Sequence, residues 1–111
     1  MIEAPLISES LPAFAAELER ALRQDGEPAL AAQISSLRIV DRCRCGDDFC
    51  ATFYTVARPK GAWADLGQYE CTQVEAIDRG MVILDLVDRR IASVEVLSRD
   101  DVREKLFSVI P

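Results

Sequence analysis

No histidine occurs anywhere in the 111 residues. That absence excludes the imidazole base of Ser-His and Cys-His catalysis, histidine-ligated metals and histidine-based pH switches. No apolar run reaches the ~18 residues that suggest a membrane-crossing helix. Aromatic residues are scarce at 6%, with a single tryptophan, and the five glycines form neither a phosphate-cradling loop nor a dinucleotide fingerprint. The first ten residues carry Glu3 and Glu9 and no basic group, so no ordinary signal peptide is expected. Without export, the four cysteines are expected as thiols or metal ligands in a reducing cytoplasm, not as structural disulfides.

What is present is the composition of one folded domain spanning residues 1–111, half hydrophobic and 29% charged. Net charge is −6, which disfavours nucleic acid and anionic membranes as partners. The charge is uneven. Residues 1–36 and 61–111 each carry −4, whereas residues 37–60 carry +2 and form the one basic stretch.

Leu11, Phe14, Leu18 and Leu22 fall on one helical face, with Ser10 as the expected cap, Pro12 in the first turn and Gly26 as the stop. Pro28 opens a second, shorter helical segment through about Ser35. From Leu37 the period changes to two. Leu37, Ile39, Asp41, Cys43 and Cys45 share one side of a strand, and Arg38, Val40, Arg42 and Arg44 share the other. Gly46-Asp47-Asp48 makes a turn into a β-rich run, Phe49 to Val56. Tyr69 to Ile77 is a third strand. Met81 to Val87 and Ile91 to Leu97 form a closing hairpin, and Ser98 or Asp100 can cap a last helix carrying Val102 and Leu106 inward. The fold class expected is α+β, an antiparallel sheet of about five strands packed by N-terminal helices and a C-terminal helix. In the hairpin, burial predicts Val82 opposite Val96, Leu84 opposite Val94, Leu86 opposite Ala92 and Val87 opposite Ile91.

Several residue groups have the right chemistry for a site. Cys43, Cys45, Cys50 and Cys71 are four thiols, enough for tetrahedral zinc, although Cys-x-Cys on a strand is less usual than Cys-x2-Cys on a turn. The simpler expectation is no cofactor and four small buried or reactive side chains. Cys45 and Cys50 flank the turn and form a candidate redox pair. Arg38, Arg42 and Arg44 form a candidate patch for an acidic partner, and Trp63 a candidate anchor. Asp85 and Glu95 are acids inside apolar strands. They have the chemistry of an acid–base pair, and alternation alone also accounts for them. Gly46-Asp47-Asp48 is ordinary turn chemistry.

Two blocks, Leu37 to Gly46 with its Cys-x-Cys-Gly hairpin and Gly80 to Leu97 with its closing hairpin, resemble a family of small uncharacterised bacterial proteins. The resemblance implies a bacterial, cytoplasmic domain of unknown function and nominates no residues. The function expected is a non-enzymatic protein-binding or regulatory module, similar in composition to antitoxins and immunity proteins. The alternatives are a zinc-binding domain on Cys43, Cys45, Cys50 and Cys71, or a thiol-based redox sensor or enzyme.

Overall fold

Phe14, Ala15, Leu18, Ala21 and Leu22 recur at the spacing of one helical face, and all are buried on helix α2, Pro12–Gln24. The structure, a computed structural model, describes residues 3–111. A single turn of helix, α1 at Ile7–Ser10, precedes α2, so Ser10 closes one helix and does not cap the next; Leu11 holds the cap position without a side-chain bond. The end of α2 follows from Gly26. At φ +79° the chain reverses, Gly26 N–H donates to Arg23 O and Glu27 N–H to Leu22 O, which satisfies two of the final carbonyls. Pro28 starts α3, Pro28–Ala31, and a 3-10 turn at Ile34–Ser36 completes this layer.

The sheet has five antiparallel strands in the order β1-β2-β5-β4-β3. These are β1 at Asp41–Arg42, β2 at Phe53–Tyr54, β3 at Tyr69–Gln73, β4 at Met81–Val87 and β5 at Arg90–Leu97. Helix α4, Asp100–Val109, buries Val102 and Leu106. Its cap position is Arg99, not Ser98 or Asp100. One sheet face, with Phe53, Val82, Leu84, Val94 and Val96, packs with the helices in a single core. The α+β architecture expected from patterning is the one observed.

The first hairpin is reduced to two paired residues on each side, because residues before it are taken elsewhere. Leu6 bridges Arg38, Ile39 N–H donates to Pro5 O, and only from Val40 does the chain join β2. Alternation therefore changes phase near Val40, so buried Ile39 does not share a face with Asp41 and Cys43.

In the closing hairpin, Val82 pairs with Val96 and Leu84 with Val94, as burial predicts. Near the turn the pairing differs: Leu86 faces Ile91 and Val87 faces Arg90, leaving Ala92 as the extra residue of a bulge. The cause is turn chemistry. Asp88 and Arg89 take φ +53° and +64°, a two-residue turn whose twist matches the strands. Gln33 bonds to the slipped segment, accepting from Ile91 N–H at 2.9 Å and donating to Arg89 O at 2.8 Å.

Gly80 immediately precedes β4 at φ +69°, and a Cβ there would collide with the Leu97 carbonyl oxygen and lie 2.8 Å from Arg99 Cγ. Gly80→Ala is therefore expected to destabilise the fold by about 2 kcal/mol or more, through backbone strain and a clash with backbone. Urea denaturation measures it; a cost under about 0.5 kcal/mol would show that this turn relaxes freely.

Candidate functional site

The sheet face turned away from the helices is polar where it is best covered. Register places Cys71, Asp85 and Ser93 abreast on β3, β4 and β5, and Tyr54 of β2 beside Ser93. Glu95 lies two residues beyond Ser93, on the same side. The segment 55–68 folds over this face. Its 3-10 turn, Trp63–Asp65, is held by the Asp65 carboxylate accepting Ala62 N–H at 2.9 Å, and sets Trp63 6.4 Å from the Tyr54 ring. Between segment and sheet lies an open cleft of about 740 Å³. Asp85, Ser93, Glu95 and Tyr69 contribute to one part of its lining; Cys43, Asp47, Cys50 and Thr52 contribute to another; Arg58, Lys60 and Trp63 come from the covering segment.

Asp85 is buried, and both its oxygens are used. The Tyr69 hydroxyl donates to Oδ1 at 2.6 Å and the Ser93 hydroxyl to Oδ2 at 2.5 Å. The Tyr69 phenol, bonded to this carboxylate, is raised well above its ordinary value, with burial adding to the effect. Half-buried Glu95 is raised too, by burial first and by the charge of Asp85 second. Among the described residues, no lysine or arginine forms an ion pair with either acid. Arg58 instead lies over the Tyr54 ring, 4.6 Å from its centroid. Burial, then the neighbouring Cys43, push the Tyr54 phenol up to about 12, against the opposing charge of Arg58.

Three of the four cysteines converge. The sulfur atoms of Cys43, Cys45 and Cys50 lie within 4.8 Å of one another. Cys43 is fixed by donating its N–H to Thr52 O at 2.8 Å. Gly46, at φ +83°, reverses the chain, and Cys50 returns beside β5, bridging Leu97 and donating to Asp47 O. Burial would raise the Cys50 thiol, but hydrogen bonds from the Thr52 hydroxyl and N–H, with those of Cys45 and Cys43, outweigh it and lower the group. Cys45 is drawn down by Asp47 N–H, yet its thiol neighbours Cys43 and Cys50, with desolvation, leave it raised at about 11. Cys71 stands apart, exposed on β3 opposite Asp85, so the four-cysteine set allowed by spacing does not assemble.

The three arginines of the basic stretch divide. Arg38 donates to Ala4 O at 2.7 Å and pairs with Glu3. Arg42 donates to Ile110 O and Pro111 O and lies 3.8 Å over the Phe107 ring. Arg44 donates to Pro111 O and to Asp41. Thus Arg42 and Arg44 meet at the C-terminal end while Arg38 binds the N-terminal segment. Trp63 belongs to the cleft. Tyr54, Tyr69, Thr52 and Ser93 complete the cleft without having drawn attention in the sequence. Their signal was their position, on the same alternating face as Asp85.

No protein-family model matches the chain, and no curated protein or solved structure matches it either.

Proposed function

We propose that the chain is a non-enzymatic binding module whose working surface is this cleft, and that it receives a basic side chain from a partner protein. The observation that carries the reading is the pair of neighbouring acids, Asp85 and Glu95, without a cation from the described part of the chain on either. A buried carboxylate with only neutral donors retains an uncompensated desolvation cost, which an incoming ammonium or guanidinium relieves. Tyr54 and Trp63 supply aromatic faces, and Arg58 on Tyr54 exemplifies how such a face receives a guanidinium. Exposed Phe49 and Tyr69 at the cleft add apolar surface around the acids, a distribution suited to a protein surface more than to a free small cation.

Asp85→Asn with Glu95→Gln tests the reading. The variant should fold, with stability unchanged or higher by about 1 kcal/mol, because a charge that lacks a counterion is removed. Binding of short peptides bearing Lys or Arg between apolar residues, followed by NMR shifts on β4 and β5, should weaken at least ~30-fold. Peptides bearing Glu instead should not bind. Wild-type affinity should also fall as pH drops through the raised range of Glu95, since the protonated acid no longer attracts a cation. Equal binding by wild type and variant would remove the reading.

A further inference from the structure

The three-thiol turn lines another part of the same cleft and takes no part in the recognition just described. We propose that Cys43, Cys45 and Cys50 form a three-thiolate site for a single Zn²⁺ ion, with the fourth coordination position left to solvent or to a donor entering from the cleft. Thiolate–zinc bonds of about 2.3 Å in a tetrahedron put neighbouring sulfurs about 3.8 Å apart. The sulfurs here, all within 4.8 Å, need only close by about 1 Å or less to reach that spacing.

The framework that carries them is anchored on both sides of the turn. Cys43 is tied to Thr52 O, Cys45 follows at the bend two residues on, and Cys50 is held by its bridge to Leu97 of β5. Two features separate this site from a disulfide switch. A disulfide uses two thiols, and the third would have no part in it. Three thiolates this close also repel one another strongly, and a divalent cation compensates the charge that a disulfide removes by oxidation. Soft sulfur donors favour zinc over magnesium or calcium, which take oxygen ligands.

Among the described residues no further cysteine or carboxylate joins the cluster within the same distance. Asp47, Cys43 and Cys50 all line the cleft, so a ligand bound there has access to the ion. The three-ligand count is that of zinc sites that keep an exchangeable position. Each thiol that binds gives its proton to solvent, so affinity should rise with pH.

The test uses the full chain, reduced and freed of metal with a chelator, then titrated with Zn²⁺ against a chromophoric competitor and separately with Co²⁺. The expected result is one ion per chain, with thiolate-to-cobalt charge-transfer absorption of a strength matching three sulfurs. Cys45→Ser, at an exposed position that should fold normally, and Cys43→Ser should each weaken zinc by more than the roughly 10–100-fold that loss of an outer-shell group costs. Cys71→Ser should leave affinity unchanged, and circular dichroism checks that each variant is folded. Absence of stoichiometric binding, or an equal loss in Cys71→Ser, overturns the proposal. So does retention of wild-type affinity by folded Cys45→Ser. Asp85→Asn should bind zinc as wild type does, so failure here and failure of the cleft reading are separate results.

Discussion

Replacing Arg99 with methionine is expected to cost the fold about 3 kcal/mol, the lower end of the range for breaking a buried ion pair. The Arg99 side chain is 2% exposed, deeper than any other charged group in an ion pair of the described chain. Its guanidinium donates to both oxygens of Glu17 on α2, at 2.9 and 2.8 Å, and to both oxygens of Asp101 on α4, at 3.0 Å each. It also reaches Arg79 O and lies over Phe14. One side chain thus ties the two principal helices to the end of β5. Methionine keeps much of the apolar stem and removes every donor. Glu17, with 24% of its side chain exposed, is then left half-buried and unpaired, whereas Asp101 at 48% recovers much of its solvation.

The same cluster sets a pH dependence. The Arg99 hydrogen bonds, against some desolvation and with its charge, lower Asp101 from 3.8 to about 2. A depressed acid stabilises the fold above its unfolded pKa, and that contribution fades as pH falls through the folded value. Wild-type stability should therefore decline between pH 4 and pH 2 partly through this group, and Arg99→Met should show a shallower decline. Urea denaturation across that range measures both effects. A loss below about 1 kcal/mol at neutral pH would mean that α2 and α4 are held by apolar packing alone.

The helices and the closing hairpin were legible because their periodicity is strict. Phe14, Leu18 and Leu22 can share a face only on a helix, and Val82, Leu84, Val94 and Val96 only on paired strands. Burial did not specify the turn between those strands, where a bulge at Ala92 reconciles the core register with a two-residue turn. The middle of the chain was less legible for a different reason. Alternation from Leu37 to Cys45 looks continuous, but residues 38–39 bond to the N-terminal segment and residues 40–43 to β2 and its flank. Two partners give the run two phases, which separates Arg38 from Arg42 and Arg44. Alternation did place Asp85 and Glu95 on the outer face. What makes them a site is the cover supplied by residues 55–68, a segment without regular period whose path depends on Trp63 meeting Tyr54 and on Asp65 bonding Ala62. The convergence of the thiols was half legible: the Cys-x-Cys spacing aligns Cys43 with Cys45, while the return of Cys50 requires the left-handed Gly46.

Phe53→Ala should be the other large loss, about 3–5 kcal/mol for emptying an aromatic site in a packed core. Phe53 is fully buried and meets Phe14 edge to face, with centroids 6.5 Å apart. Its strand, β2, has two residues, extended by bonds from Ala51 to Val96 and from Thr55 to Ala92 on β5, and the ring is the large side chain that it places in the core. The damage should accordingly be local as well as global. Amide exchange should quicken most at Cys43, which donates to Thr52 O, and at Ala51, which donates to Val96 O. The amides that join β4 to β5 should follow only the global loss. Phe53→Leu, which keeps most of the volume, should cost about 1.5 kcal/mol or less and leave the exchange pattern nearly intact. If Phe53→Ala instead accelerates exchange equally on β1, β4 and β5, the thiol-bearing turn shares the cooperativity of the whole sheet, and β2 is held by more than this one ring.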